Sequence, residues 1–264
     1  MANRERTYST HAIVLRRRDH ADADRLLTVF TAADGKREFL AKGVRKTASR
    51  KAGYLEPFAH TVLQIADGRT WVVITEASMV EAHRHLRNDL ESIGRAAYLC
   101  ELVDRFSSEH DENRPLWELI TTTLRLLDGI AGQEIPGDPQ TLMRWFEMNL
   151  LSVAGFQPEL FNCLECGAEL TPVLNFLCLA EGGVFCPACG ARRNDVEPLD
   201  VDTLKVMRYI QNNNWITLAT LKVRAPIMRR VESVLQRYLT LLLERQLRST
   251  DFLRRLQHLP SLGE

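Results

Sequence analysis

From Thr10 to Glu76, short apolar runs broken by turn residues carry the two-residue period of strands. The runs are His11–Arg18, Arg25–Thr31, Lys36–Gly43, His60–Ala66 and Thr70–Glu76. Asp34-Gly35 and Asp67-Gly68 fall between consecutive runs, where residues that tolerate left-handed backbone close hairpins. A polar, basic loop from Val44 to Gly53 separates the third run from the fourth. Five strands in so short a segment predict a closed barrel of the OB type, which buries its own edges, and an SH3-like barrel fits the pattern nearly as well.

After Ser78 the period lengthens to that of helices. Ala96, Leu99, Cys100, Val103 and Phe106 form one stripe, and Leu116, Leu119, Ile120, Leu124 and Leu127 another. Pro115 stands where a first helical turn tolerates it. Gly129 to Pro139 reads as a linker, and Thr141 to Ala154 as a helix ended by Gly155 and Pro158, with Trp145, Phe146 and Met148 as core. A last long helix is predicted from about Ala225 to Arg248 on the stripe Ile227, Val231, Val234, Leu235, Tyr238 and Leu242. The expected fold class is α+β, with a five-stranded OB-type barrel over residues 1–80 and a helical domain over 81–264.

A length of 264 residues, with 45% hydrophobic and 26% charged side chains, suits a globular chain of two domains. No run reaches the roughly 18 apolar residues that span a bilayer, and the opening Met-Ala-Asn-Arg-Glu-Arg lacks a signal-peptide core, so a cytoplasmic location is expected. The net charge of zero conceals segregation. Residues 1–52 carry 13 basic and 6 acidic side chains, 53–226 carry 14 and 24, and 227–264 carry 7 and 4. Asymmetry of this kind points to an anionic partner for the basic end, against the plainer reading of Lys and Arg that merely solvate exposed strands.

Cys163-Leu-Glu-Cys166 and Cys186-Pro-Ala-Cys189 break the helical pattern between Gly155 and Asp200. Two cysteines two residues apart let one tight turn present two sulfurs, and two such knuckles complete a tetrahedron, so the spacing predicts one zinc ion in a ribbon over about 159–195. Gly167 and Gly190 follow the pairs, where the knuckles need backbone freedom. Four thiolates leave no position for water, which makes the zinc structural. Thioredoxin-type redox chemistry is the alternative, but neither pair has a βαβ setting. Cys178 reads as a buried strand thiol, with substitution for one ligand left open, and Cys100 as core.

Signatures for nucleotide phosphates, a serine nucleophile or a catalytic zinc are missing, and no enzymatic activity is expected. His110-Asp-Glu112 reads as a solvated loop, and Asp19, Asp22 and Asp24 as ion-pair partners of nearby arginines. The stronger lead is the set Arg16, Arg17, Arg18, Arg25, Lys36, Arg37, Lys42, Arg45, Lys46, Arg50 and Lys51 in the barrel and its longest loop. Such cations suit a single strand held by phosphate neutralisation, without base readout. Phe39, Tyr54 and Phe58 are candidate stacking faces, though each alone reads better as core. Arg192 and Arg193, directly after the second knuckle, extend the candidate path.

Ala12-Ile-Val-Leu15, Leu40-Ala-Lys-Gly-Val-Arg-Lys46, Leu55-Glu-Pro-Phe58, Tyr98–Asp104 and Arg144–Pro158, in that order before the cysteine knuckles, resemble the RecO family of bacterial DNA repair proteins along nearly the whole chain. The resemblance implies an OB domain, a helical domain with an inserted zinc ribbon, and a nucleoid-associated recombination mediator. Such a mediator binds single- and double-stranded DNA, anneals complementary strands, works with RecR and helps load RecA on DNA coated by single-strand-binding protein. It implies no membrane and no small-molecule substrate. An acidic tail on single-strand-binding protein would make Arg229, Arg230 and Arg237 candidate contacts. Two other classes stand beside this reading: a nuclease-like, metal-dependent enzyme, and an OB-type RNA or ribosome binder.

Overall fold

A computed structural model describes residues 7–68 and 70–243, which form two compact units dividing between Gly132 and Gln133. In the first unit, β1 (Thr7–His20), β2 (Asp24–Thr31), β3 (Gly35–Ala41), β4 (His60–Asp67) and β5 (Val72–Glu81) close into a barrel of order β1-β2-β3-β5-β4. All neighbouring pairs are antiparallel except β3 with β5, which pair in parallel at Leu40 and Val73. This is the OB order, and the SH3-like alternative falls away. The long β1 pairs with both β2 and β4, and a register shift between Val14 and Arg16 lets it bend around the barrel.

The barrel core follows the two-residue period: Ala12 and Val14, Leu27 and Val29, Phe39 and Ala41, Leu63 and Ile65, and Ile74. On β2 the alternate residues Leu26, Thr28 and Phe30 are buried as well. For Phe30 the cover comes from helix, since its ring lies 6.4 Å, centre to centre, from that of Trp117. A strand buried on both faces needs the near-continuous apolar run seen at Leu26–Phe30. Trp117 belongs to α2 (Arg114–Ala131), which packs with α1 (Leu90–Phe106), and both helices share the barrel's unit. Strand therefore gives way to helix after Glu81, while the compact unit continues to Gly132. Asp89 caps α1 by accepting from the Glu91 and Ser92 amides at 2.9 Å, and Asn113 caps α2 just before Pro115.

The second unit holds α3 (Pro139–Val153), then β6 (Asn175–Cys178), β7 (Gly183–Phe185), α4 (Pro187–Gly190) and β8 (Glu197–Leu199). It ends with α5 (Val201–Asn212), α6 (Trp215–Leu218) and α7 (Ala225–Leu243). Strands β7-β6-β8 make a small antiparallel sheet between α3 and α5. Helices α3, α5 and α7 pack on one another. Buried Arg144 of α3 ties Glu147 at 2.8 Å to Glu232 of α7 at 3.3 Å. Unpairing either end would strand a buried charge, which fixes the register of the two helices.

Three sequence expectations need correction. Gly129 does not begin a linker, because α2 runs on to Ala131 and Gly129 is buried within it. Helix α5 was not anticipated, although Asp200 caps it and Leu204, Met207 and Ile210 form its buried stripe. Gly190 is needed for closeness rather than for backbone freedom, since a Cβ there would meet the Phe176 ring at 2.5 Å. The expected end of the last helix at Arg248 lies outside the described residues.

Candidate nucleic-acid interface and metal centre

The barrel cations divide by partner. Arg16 Nε donates to Asp104 Oδ2 at 2.8 Å, and Arg18 lies 3.7 Å from Glu38. Arg17 and Arg25 both reach Glu56, Arg25 also pairs with Asp19, and Arg37 pairs with Asp34. Lys36 is held by Asp104, and Arg45 lies 3.5 Å from Asp19. Lys51 donates to the Ile74 carbonyl at 2.9 Å, and its partial burial holds its pKa below the ordinary value, with nearby Asp24 opposing that shift. Among the described residues Lys42, Lys46 and Arg50 make no side-chain hydrogen bond or ion pair.

Those three line one cleft of about 590 Å³ together with Lys51, Tyr54 and β5 residues Thr75–Ala77. Lys42, Gly43 and Lys46 also border a second hollow against the β1–β2 turn, Ala21–Asp24. Folding of the 42–55 segment makes this surface. Val44 and Leu55 insert into the barrel core, the Gly43 amide donates to Asp24 Oδ1 at 2.7 Å, and the Arg45 amide donates to the Ala23 carbonyl. Gly43 sits at φ +64°, so the turn that aims Lys42 and Lys46 outward requires a residue free of Cβ strain. Glu76 is the one carboxylate on the cleft, against four cations.

Of the three candidate stacking faces, Phe39 and Phe58 are core, at 0% and 7% exposure, while Tyr54 is 40% exposed in the cleft. Sequence reasoning passed over Trp71, which meets His20 edge-on at 5.8 Å. That contact brings together the β1–β2 and β4–β5 turns, the loops OB barrels use to grip oligonucleotides. Its signal was a large aromatic residue beside a hairpin turn. In the second unit Arg193 is occupied by Glu181 and Asp195 and lies over the Phe185 ring, while Arg192 is exposed and donates to the Ala188 carbonyl.

The sulfurs of Cys163, Cys166, Cys186 and Cys189 all lie within 4.8 Å of one another, and those of Cys166 and Cys186 are 3.9 Å apart. A tetrahedron of thiolates at ~2.3 Å from a central ion has edges of ~3.8 Å, so the cluster has room for one metal ion. The first knuckle turns at Gly167, φ +70°, whose amide donates to the Cys163 carbonyl; the second forms the start of α4. Burial opposes ionisation of Cys163, yet amide donors from Cys166, Cys186 and Glu165 outweigh it and hold that thiol below its ordinary pKa. Burial and the neighbouring cysteines push Cys189 the other way. Four sulfurs gathered at this spacing are a donor set suited to a soft cation. Cys178 lies outside the cluster, fully buried on β6, 3.8 Å from Asp195. Glu181 and Asp195 stand near it, but Arg193 already neutralises both.

No helix among the described residues is long and apolar enough to cross a membrane. The family model for the N-terminal part of recombination protein O matches residues 4–83, and the one for its C-terminal part matches 87–251. Among curated proteins, the DNA repair protein RecO of a Roseiflexus species is 37% identical over 250 residues, covering 95% of this chain and 86% of its own. The RecO proteins of Desulforamulus reducens and Pelotomaculum thermopropionicum are 32% and 33% identical, each over at least 94% of both chains. With both halves matched in order and near-full coverage in each relative, the chain belongs to the RecO family of DNA repair proteins.

Proposed function

We propose that this chain is a recombination mediator without enzymatic activity. It holds single- and double-stranded DNA independently of sequence, anneals complementary strands, and with RecR helps load RecA on DNA coated by single-strand-binding protein. The observation that carries the reading is the cleft of Lys42, Lys46 and Arg50, three cations whose charge no described residue neutralises. Annealing brings two polyanions together, and unpaired cations lower that repulsion by displacing counterions, with no covalent step required. Sequence is not read, because the cleft offers cations and a ring rather than a set of oriented amides.

In the second unit Cys163, Cys166, Cys186 and Cys189 hold one zinc ion, which supplies a cross-link between the knuckles and no chemistry. The protein works in the cytoplasm, at the nucleoid, where thiols stay reduced. The test is annealing of labelled complementary oligonucleotides with and without single-strand-binding protein, with RNA as competitor. Accelerated annealing that persists on coated strands is expected. No acceleration, or stronger binding to RNA than to DNA, would overturn the reading.

A further inference from the structure

We infer that Tyr54 is the stacking platform for an unpaired base and gives the cleft a preference for single strands. The inference rests on the reading of that cleft as the DNA site. Tyr54 is the large aromatic residue lining it, and the residue is 40% exposed although Leu55 beside it is buried in the barrel core. The backbone is fixed on both sides: the Tyr54 amide donates to the Lys51 carbonyl at 3.0 Å, and Lys51 reaches back to β5 through Ile74. The phenolic oxygen makes no hydrogen bond among the described residues. The backbone that carries the ring is thus held in place, while the ring's hydroxyl is not used by the described fold.

A strand threading past Lys42, Lys46 and Arg50 places phosphates on the cations and a base within reach of the ring. Base-on-aromatic stacking contributes about 1–3 kcal/mol per base, roughly a 5- to 150-fold effect on affinity, and it needs an uncovered base face. A duplex has its faces covered by neighbouring pairs. Duplex DNA can use the cations of this cleft but not the ring, so single-strand preference follows from one side chain.

The experiment is an anisotropy titration of the full chain with labelled oligothymidylate, an abasic strand of the same length, and a duplex. Tyr54→Ala is expected to weaken oligothymidylate binding roughly 10-fold while leaving the abasic strand and duplex unchanged. Tyr54→Phe should bind all three as the parent does, and Tyr54→Trp should show fluorescence quenching on oligothymidylate alone. Lys42→Glu/Lys46→Glu/Arg50→Glu, compared in parallel, should weaken all three probes. If that triple variant loses affinity but Tyr54→Ala weakens none of the probes, or all equally, the stacking inference is overturned and the cleft stands. If the triple variant keeps full affinity, the cleft reading itself fails.

Discussion

Lys36 Nζ donates to the Asp104 backbone carbonyl at 2.6 Å and lies 3.3 Å from that residue's carboxylate. A cation of β3 is thereby bound to the end of α1, and Arg16 of β1 is bound to the same carboxylate at 2.8 Å. Charge that looks available for phosphate in the sequence is spent within the barrel's own unit. Lys36→Ala should therefore lower the unit's stability by about 1–3 kcal/mol, because it leaves a largely buried carboxylate short of a partner. Its DNA affinity should stay near that of the parent protein. Urea unfolding and a DNA titration on the same sample check this; unchanged stability with weakened binding would reassign Lys36 to the interface.

Metal analysis of the purified protein should give about one zinc per chain. Cys163→Ser should lose the metal and lower the unfolding midpoint of the second unit, since the ribbon between α3 and α5 has only a small three-stranded sheet to hold it. Cys178→Ser should keep the metal, as its sulfur stands outside the cluster. Metal-free protein of parental stability would contradict the cross-linking role.

Burial holds His60 at a pKa of about 4, despite the opposing pull of Glu81; His11, His83 and Arg125 push it further down. Its ring is 3.1 Å from His11 and edge-on to Trp117 at 5.4 Å. The folded form keeps the ring neutral while the unfolded chain protonates near 6.5, so the unfolded state binds the extra proton as the pH drops. Stability is complete above about pH 6.5 and falls between there and pH 4, by roughly 1–2 kcal/mol once solvent screening is allowed for. Unfolding free energies of the parent and His60→Gln at pH 7 and pH 4.5 measure this. Equal slopes in the two proteins would exclude His60 as the cause.

The barrel was legible because its core residues recur one in two along the strands, even where β2 is buried on both faces, and Asp34-Gly35 and Asp67-Gly68 mark the turns between β2 and β3 and between β4 and β5. The knuckles were legible because their ligands are local. Helix α5 went unread because its stripe is short and follows a ribbon with no helical period, although Asp200 signalled its start. The working subset of cations could not be read from charge alone: Arg16 and its partner Asp104 are 88 residues apart. One local signal was present. No acidic residue occurs between Glu38 and Glu56, so the cations of that stretch have no counter-charge close in the chain, and among the described residues Lys42, Lys46 and Arg50 are the three of them whose side chains make no hydrogen bond or ion pair. Tyr54 is exposed and Phe39 buried because the backbone aims them differently, which composition does not reveal.

The central claim is that these three cations, rather than the whole basic set, meet the phosphates. The most direct measurement is the salt dependence of oligothymidylate affinity for the parent and for Lys42→Ala/Lys46→Ala/Arg50→Ala. At a slope of ~0.7 per contact, three lost contacts should flatten the log–log slope by about 2, and the parent alone should lose the corresponding ~20-fold between 50 and 200 mM salt. An unaltered slope in the triple variant, with a flattened one in Arg16→Ala/Lys36→Ala, would contradict the account.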